Sequence, residues 1–319
     1  MRIPLYYCDE MLGFEGKFPD VPERLAAIVD RVRKSGIDHR IVKPKKAGDG
    51  KLKAVHDEKY LEEIRSYKRI NSYFPDEPID KDTYGYAALS AGAAIGAAEH
   101  ALKRKGFAFA LTRPKGNHAG RDFFGGYSYI NNVAVAVRHL LDEKGIDRAM
   151  IIDFDAHFCN GTNNIFLNEE RVSLLSIHQH ADSIYPYLGR EKDSSKRMRY
   201  YETRLWVTDK EYIEIFREAV SKFIDDVRPD VIAVSAGFNT YYKDVFFGTV
   251  SKVKNQRTYL KMGRMLNVKA DEVGAGIFGV LEGGYWIDEL GSLACNFLRG
   301  FSPEEKEPLP DVVNEGHAR

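Results

Sequence analysis

Cysteine is scarce in this chain: three residues in 319, at positions 8, 159 and 295, with no CxxC pair. Such spacing excludes a disulfide framework. Long apolar runs are missing too; none approaches the roughly 18 residues a membrane helix needs. The opening Met1-Arg-Ile-Pro-Leu-Tyr-Tyr7 lacks the apolar segment of a secretory leader, which makes a cytoplasmic protein the expectation. Neither charge is in excess, since Lys+Arg and Asp+Glu number 47 each. No global field therefore favours nucleic acid or an anionic membrane as a partner. Repeats, low-complexity segments and convincing linkers are absent as well.

What remains is a chain with 44% hydrophobic and 29% charged residues, enough for a large core under an ordinary surface. Helical and strand periods alternate along it. That pattern predicts a single-domain α/β fold, a mainly parallel sheet sandwiched between helices in three layers. Pro22 opens a helix over 23–33 that Gly36 ends, and further helices are read over 58–68, 84–105, 132–143, 210–226 and 258–273. Strands are read at 107–111, Ala149–Asp153, Val172–Ile177, Val231–Ser235 and Gly276–Leu281. The domain is expected to span 1–300, with 301–319 a peripheral extension carrying Pro303, Pro308 and Pro310.

Chemistry concentrates where these strands end. In Ala149-Met-Ile-Ile-Asp-Phe-Asp-Ala-His157 the residues two apart share a side, so Asp153, Asp155 and His157 line up. Two carboxylates and an imidazole can hold a metal ion, although the aspartates could also cap a following helix. Three other polar segments, Arg113–Tyr129, Ser235–Asp244 and Glu282–Tyr285, follow strands in the same way. In such sheets ligands bind beyond the carboxyl ends. Cys159 beside His118 reads as a thiol nucleophile or as a small buried cysteine, the second being the expectation. Tyr127, Tyr129, Tyr185, Tyr187, Tyr241 and Tyr242 either line a channel or pack half-buried loops.

In order and wording these segments resemble the histone deacetylase, acetylpolyamine amidohydrolase and acetoin-utilisation superfamily, which shares its fold with the arginases. The family's Arg-Pro-Pro-Gly-His-His is represented by Arg113-Pro-Lys-Gly-Asn-His118, and its Gly-Phe/Tyr-Cys-x-x-Asn-Asn by Gly126-Tyr-Ser-Tyr-Ile-Asn-Asn132. Asp-x-Asp-x-His-His-Gly-Asp-Gly-Thr becomes Asp153-Phe-Asp-Ala-His-Phe-Cys-Asn-Gly-Thr162. Ser-Ala-Gly-Phe-Asp becomes Ser235-Ala-Gly-Phe-Asn239, while Leu281-Glu-Gly-Gly-Tyr285 is intact. Weaker echoes are Pro22-Glu-Arg-Leu25, Val55-His56 with Tyr60, and Ser176-Ile-His178, so the likeness covers roughly residues 20–300.

The resemblance implies an arginase/deacetylase fold and a zinc-dependent amidohydrolase acting on a small-molecule, acyl-lysine or acylpolyamine substrate. It implies zinc at Asp155, His157 and Asn239, and a structural potassium ion held by Asp153, Asp155, His157, Ser176 and Ile177. Catalytic positions fall on Asn117, His118, Asn160 and Tyr285; Gly126, Tyr127 and Tyr185 fall along the substrate channel. Asparagine at 117, 160 and 239 departs from that pattern. Asn239 offers an amide oxygen but no charge, Asn160 is no carboxylate partner for His118, and Asn117 does not titrate. Lys115, where the family has proline, reads as a solvated loop lysine. Two functions follow as expectations: an amidohydrolase with an altered zinc site, or an inactive or metal-free descendant with a binding or structural role.

Overall fold

The apolar runs become strands of one sheet because each is buried on both faces, as parallel strands between helices must be. The computed structural model describes residues 2–67 and 79–302. Eight strands are present there: β1 (Ile3–Tyr6), β2 (His39–Val42), β3 (Phe107–Ala110), β4 (Ala149–Asp153), β5 (Val172–Gln179), β6 (Met198–Thr203), β7 (Val231–Ala236) and β8 (Gly276–Leu281). The helices are α1 (Glu23–Arg33), α2 (Asp49–Lys53), α3 (Glu58–Arg65), α4 (Thr83–Arg104), α5 (Asn132–Glu143), α6 (Asn160–Phe166), α7 (Asp209–Val227), α8 (Arg257–Val273) and α9 (Ile287–Arg299). Helices α1, α7, α8 and α9 pack in series on one face, while α4 and α5 pack together on the other. The expected three-layer parallel α/β fold is the one found.

Strands β1, β2 and β6 and helices α2, α6 and α9 were not legible beforehand. Strand β2 sits at the sheet edge with two of its four residues exposed, and β6, at the other edge, is half-polar. Such edges lack the continuous apolar run of a central strand. The end of the 58–68 helix, at Lys68, and the extension beyond Ser302 lie outside the described residues. Among the described residues no helix is long and apolar enough to cross a membrane.

Strand order is β2-β1-β3-β8-β7-β4-β5-β6, all neighbours parallel. The chain places β1 to β3 on one side and β4 to β6 on the other, then fills the gap with β7 and β8. That switch in direction opens a crevice at the carboxyl ends. The four motif segments follow β3, β8, β7 and β4, which are adjacent in the sheet. Register aligns their ends: Asp153 lies opposite both Ser176 and Ser235, and Ala236 opposite Leu281.

Candidate active-site pocket

The pocket is made of loops, and buried side chains anchor them. Arg24, fully buried, pairs with Asp20 at 2.6 Å and donates to the carbonyls of Gly284 (2.7 Å) and Glu282. Its guanidinium also lies 4.7 Å from the Tyr285 ring centroid. Arg113, equally buried, donates to the carbonyls of Phe14, Glu15 and Asp20. His56 accepts the Asn131 N–H at Nε2 and donates from Nδ1 to Gly120 O, 2.7 Å away. Asn131 caps α5 and reaches Ala119 O and Thr162 Oγ1. The weak motif echoes at Pro22–Leu25 and Val55–Tyr60 are thus scaffold, a role sequence reasoning did not assign.

At the end of β4, Asp155 is fully enclosed. Its Oδ1 accepts from His157 N (2.9 Å) and Asn239 Nδ2 (2.7 Å), and lies 3.0 Å from His157 Nδ1. Its Oδ2 accepts from Gly283 N at 2.8 Å. Burial alone would raise this carboxyl, but the His157 hydrogen bond and the Lys115 charge hold it below the usual carboxylate range. Gly283 is required here, since a Cβ would stand 2.4 Å from Asp155 Oδ2 and 2.5 Å from Asn239 Nδ2. His157 Nε2 donates to Phe247 O at 3.3 Å.

The Asn239 amide has a fixed orientation. Its Oδ1 accepts the Ala156 backbone N–H at 2.9 Å, so Nδ2 faces Asp155 and lies 3.1 Å from His157 Nδ1. Turning the amide over would set N–H against N–H at Ala156 and oxygen against the Asp155 carboxylate, leaving buried groups unsatisfied at about 1–3 kcal/mol each. An amide nitrogen, its lone pair delocalised, is not a zinc ligand. Tetrahedral zinc ligands about 2.0–2.1 Å from the ion stand roughly 3.3 Å apart. The Asp155 Oδ1, His157 Nδ1 and Asn239 Nδ2 separations of 2.7, 3.0 and 3.1 Å are all shorter. The residues present do not fit the zinc set that the resemblance implied.

A different trio, His118, Asp155 and His157, is buried with its candidate ligand atoms all within 4.8 Å of one another. His118 donates from Nδ1 to Asn160 Oδ1 at 2.8 Å. Burial, then the Lys115 charge, lower its pKa well below the ordinary histidine value, against the pull of Asp155. The ring is therefore neutral, and the uncharged Asn160 does little to stabilise an imidazolium. Asn117 donates from Nδ2 to Asp153 Oδ2 at 3.3 Å and accepts from Lys115 Nζ at 3.3 Å.

Lys115 corrects the expectation of a solvated loop lysine: it is 2% exposed. Glu282, another residue whose role sequence reasoning missed, is fully buried and accepts the N–H groups of Gly116 and Asn117 at Oε2. Burial pushes its pKa up to about 7, against the pull of Lys115 and those two N–H groups. Asp153 is pushed well up by burial and by the charges of Asp155 and Glu282. It lies beside Ser176 in register, and Ser176 Oγ is 3.0 Å from His178 Nδ1. Carboxylate, hydroxyl and strand-end carbonyls are hard oxygen donors, so Asp153, Asp155, His157, Ser176 and Ile177 fit an alkali ion in kind.

Tyr285 is buried; burial pushes its hydroxyl pKa well up, with Arg24 opposing, so it remains a neutral O–H. Gly126 takes φ +56°, and a Cβ there would meet His118 Cδ2 at 2.6 Å. Tyr185 stands 5.2 Å from the His118 ring, and Tyr127 stands 5.7 Å from Phe247. Phe247, a wall residue that sequence reasoning missed, also faces Tyr285 at 5.2 Å. By contrast Tyr129 packs on Phe124 in the interior, and Tyr241 packs on Tyr242. Cys159 is fully buried with its thiol pKa pushed well up by burial, so the thiolate a nucleophile needs is not at hand.

Comparison with known proteins agrees with this fold. The sequence model of the histone deacetylase domain matches residues 18–301. A probable deacetylase of Methanothermobacter thermautotrophicus is 31% identical, over 92% of this chain and 89% of that one. The acetylpolyamine amidohydrolase of Mycoplana ramosa is 30% identical, over 88% and 91% respectively. The crystal structure of the HDA15 HD domain superposes with a TM-score of 0.82 at 26% identity, covering 93% of this chain and 90% of that one. With residues 18–301 matched by that family model, the chain belongs to the histone deacetylase domain family.

Proposed function

We propose that this chain binds an acylated amine, either a small acylpolyamine or an acyl-lysine side chain, in its deacetylase-type pocket, without the family's metal-assisted hydrolysis. The observation that carries the reading is the Asn239 carboxamide, whose nitrogen faces Asp155 and His157. Tyr127, Tyr185 and Phe247 form aromatic walls suited to an alkyl chain. The neutral Tyr285 hydroxyl donates to the amide oxygen of the ligand, and His118, neutral and buried, accepts at Nε2. Both contacts bind an amide in its ground state. Neither generates a nucleophile, and a positioned acid–base group typically supplies only about 10²–10⁴-fold by itself.

A second reading, a metal-dependent amidohydrolase with an altered site, is favoured by the close His118, Asp155 and His157 group. One pair of measurements separates the two. Metal content of protein purified without added metal is determined, and N-acetylputrescine and an acetyl-lysine peptide are assayed for binding by calorimetry and for turnover with zinc supplied. Saturable binding with no stoichiometric metal and no turnover is the expected result. Rapid turnover, or no binding of either compound, overturns the first reading.

A further inference from the structure

We infer that the chain carries an internal replacement for a metal ion, divided between two side chains: the Asn239 carboxamide links Asp155 to the opposite loop, and the Lys115 ammonium supplies the buried positive charge. A metal at such a centre does two things. It bridges donor groups from different loops, and it offsets their negative charge. Asn239 meets the first need, because its amide joins β4 to the loop after β7 through Ala156 N, Asp155 Oδ1 and a close approach to His157 Nδ1.

The second need comes from the fully buried Asp155 carboxylate, which stands beside Asp153 and Glu282, two further fully buried acids whose enclosure favours their neutral forms. Unpaired buried carboxylates are costly, and a structure that keeps them must bring a counter-charge. Arg24 and Arg113 are committed to Asp20 and to loop carbonyls. Lys115 is the only buried lysine among the described residues. Its ammonium reaches Asp153 through one intervening amide, Asn117, with both steps at 3.3 Å. The same charge helps hold Asp155 down and opposes the burial that raises Glu282. Asn117, at a position where the resemblance implied a histidine, turns its oxygen to the cation and its nitrogen to the carboxylate. Lys115 is thus a positioning residue for the pocket floor.

The inference rests on the metal-free reading of the pocket, and its test is separable from acyl-amine binding. Thermal unfolding of chelator-dialysed protein, with and without zinc, is compared for the unmodified chain, Lys115→Gln, Asn239→Asp and the double variant. The unmodified chain is expected to show the same midpoint in both conditions. Lys115→Gln lowers the midpoint. Asn239→Asp binds zinc about 10–100-fold more tightly than the unmodified chain, the scale at which changes around a metal's ligands alter its affinity. In the double variant, zinc restores the midpoint lost with Lys115. Stoichiometric zinc binding with a raised midpoint in the unmodified chain overturns the inference, as does a Lys115→Gln midpoint equal to the parent. Should Lys115→Gln not fold, the Asn239 side-chain amide protons decide the matter by NMR. They are expected to be exchange-protected and unmoved by zinc, and displacement on zinc addition overturns the inference. Failure of both N-acetylputrescine and the acetyl-lysine peptide to bind sinks the proposed function and leaves these results standing.

Discussion

The loop anchors and the pocket centre answer to the same family pattern in different ways. Arg24, Arg113, His56 and Asn131 keep the residue types of that pattern and engage several backbone groups each. Positions 117, 160 and 239 instead hold neutral amides. A hydrogen-bonded frame depends on donor and acceptor directions, which asparagine supplies as well as aspartate does. Metal binding and acid–base work depend on charge, which asparagine does not carry. Shape and chemistry can therefore part company within one pocket.

Breaking the frame is expected to have the largest effect. Arg24→Met leaves Asp20 with only the longer Arg113 contact at 3.5 Å and strands two carbonyls in the interior, and loss of one partner of a buried pair costs about 3–5 kcal/mol. Chemical denaturation should show that loss together with weaker binding of acetylated amines. A result under about 1 kcal/mol would mean the anchors matter less than the centre.

Glu282 tests the centre next. Its folded pKa of about 7 stands above the unfolded 4.5, so the folded state holds its proton more tightly. Its contribution to stability is fully present below about 4.5 and declines as pH rises towards 7 and beyond, by a few kcal/mol at most. The slope of unfolding free energy against pH over this window should flatten in Glu282→Gln. An unchanged slope would remove Glu282 from the buried charge cluster.

Gly126→Ala probes the contact between frame and centre. A Cβ against His118 at φ +56° should cost about 1–3 kcal/mol and displace the imidazole. The His118 resonances and the unfolding midpoint would both report it.

The smallest change in stability is expected for Asn160→Asp, because the side chains are isosteric and the new buried carboxylate pairs with a His118 that takes up a proton across Nδ1. Its effect belongs to charge: the His118 pKa should move upward in an NMR titration as a carboxylate replaces the amide oxygen at Nδ1. No movement would show that the field at His118 is set by burial and Lys115 alone.

Much of this was legible beforehand. The buried central strands β4, β5, β7 and β8 declare themselves as short apolar runs, and the motif segments mark their ends. Edge strands β2 and β6 are too polar to stand out. Of the candidate residues, Asp153, Asp155 and His157 follow from a two-residue period within one strand. Lys115, Glu282 and Phe247 do not, because their part depends on what the other loops bring to them. A lysine in a Gly- and Pro-rich loop has the local signature of a solvated residue, and here the local signature misleads.

By itself the sequence determined the alternation of strands and helices, the family pattern and the absence of charge at 117, 160 and 239. Only the tertiary structure decided what those amides do. An amide has two faces, one that accepts and one that donates, and nothing local selects between them. At Asn239 the Ala156 N–H claims the oxygen. The nitrogen is left to Asp155 and His157, where the family pattern would bring a metal ligand.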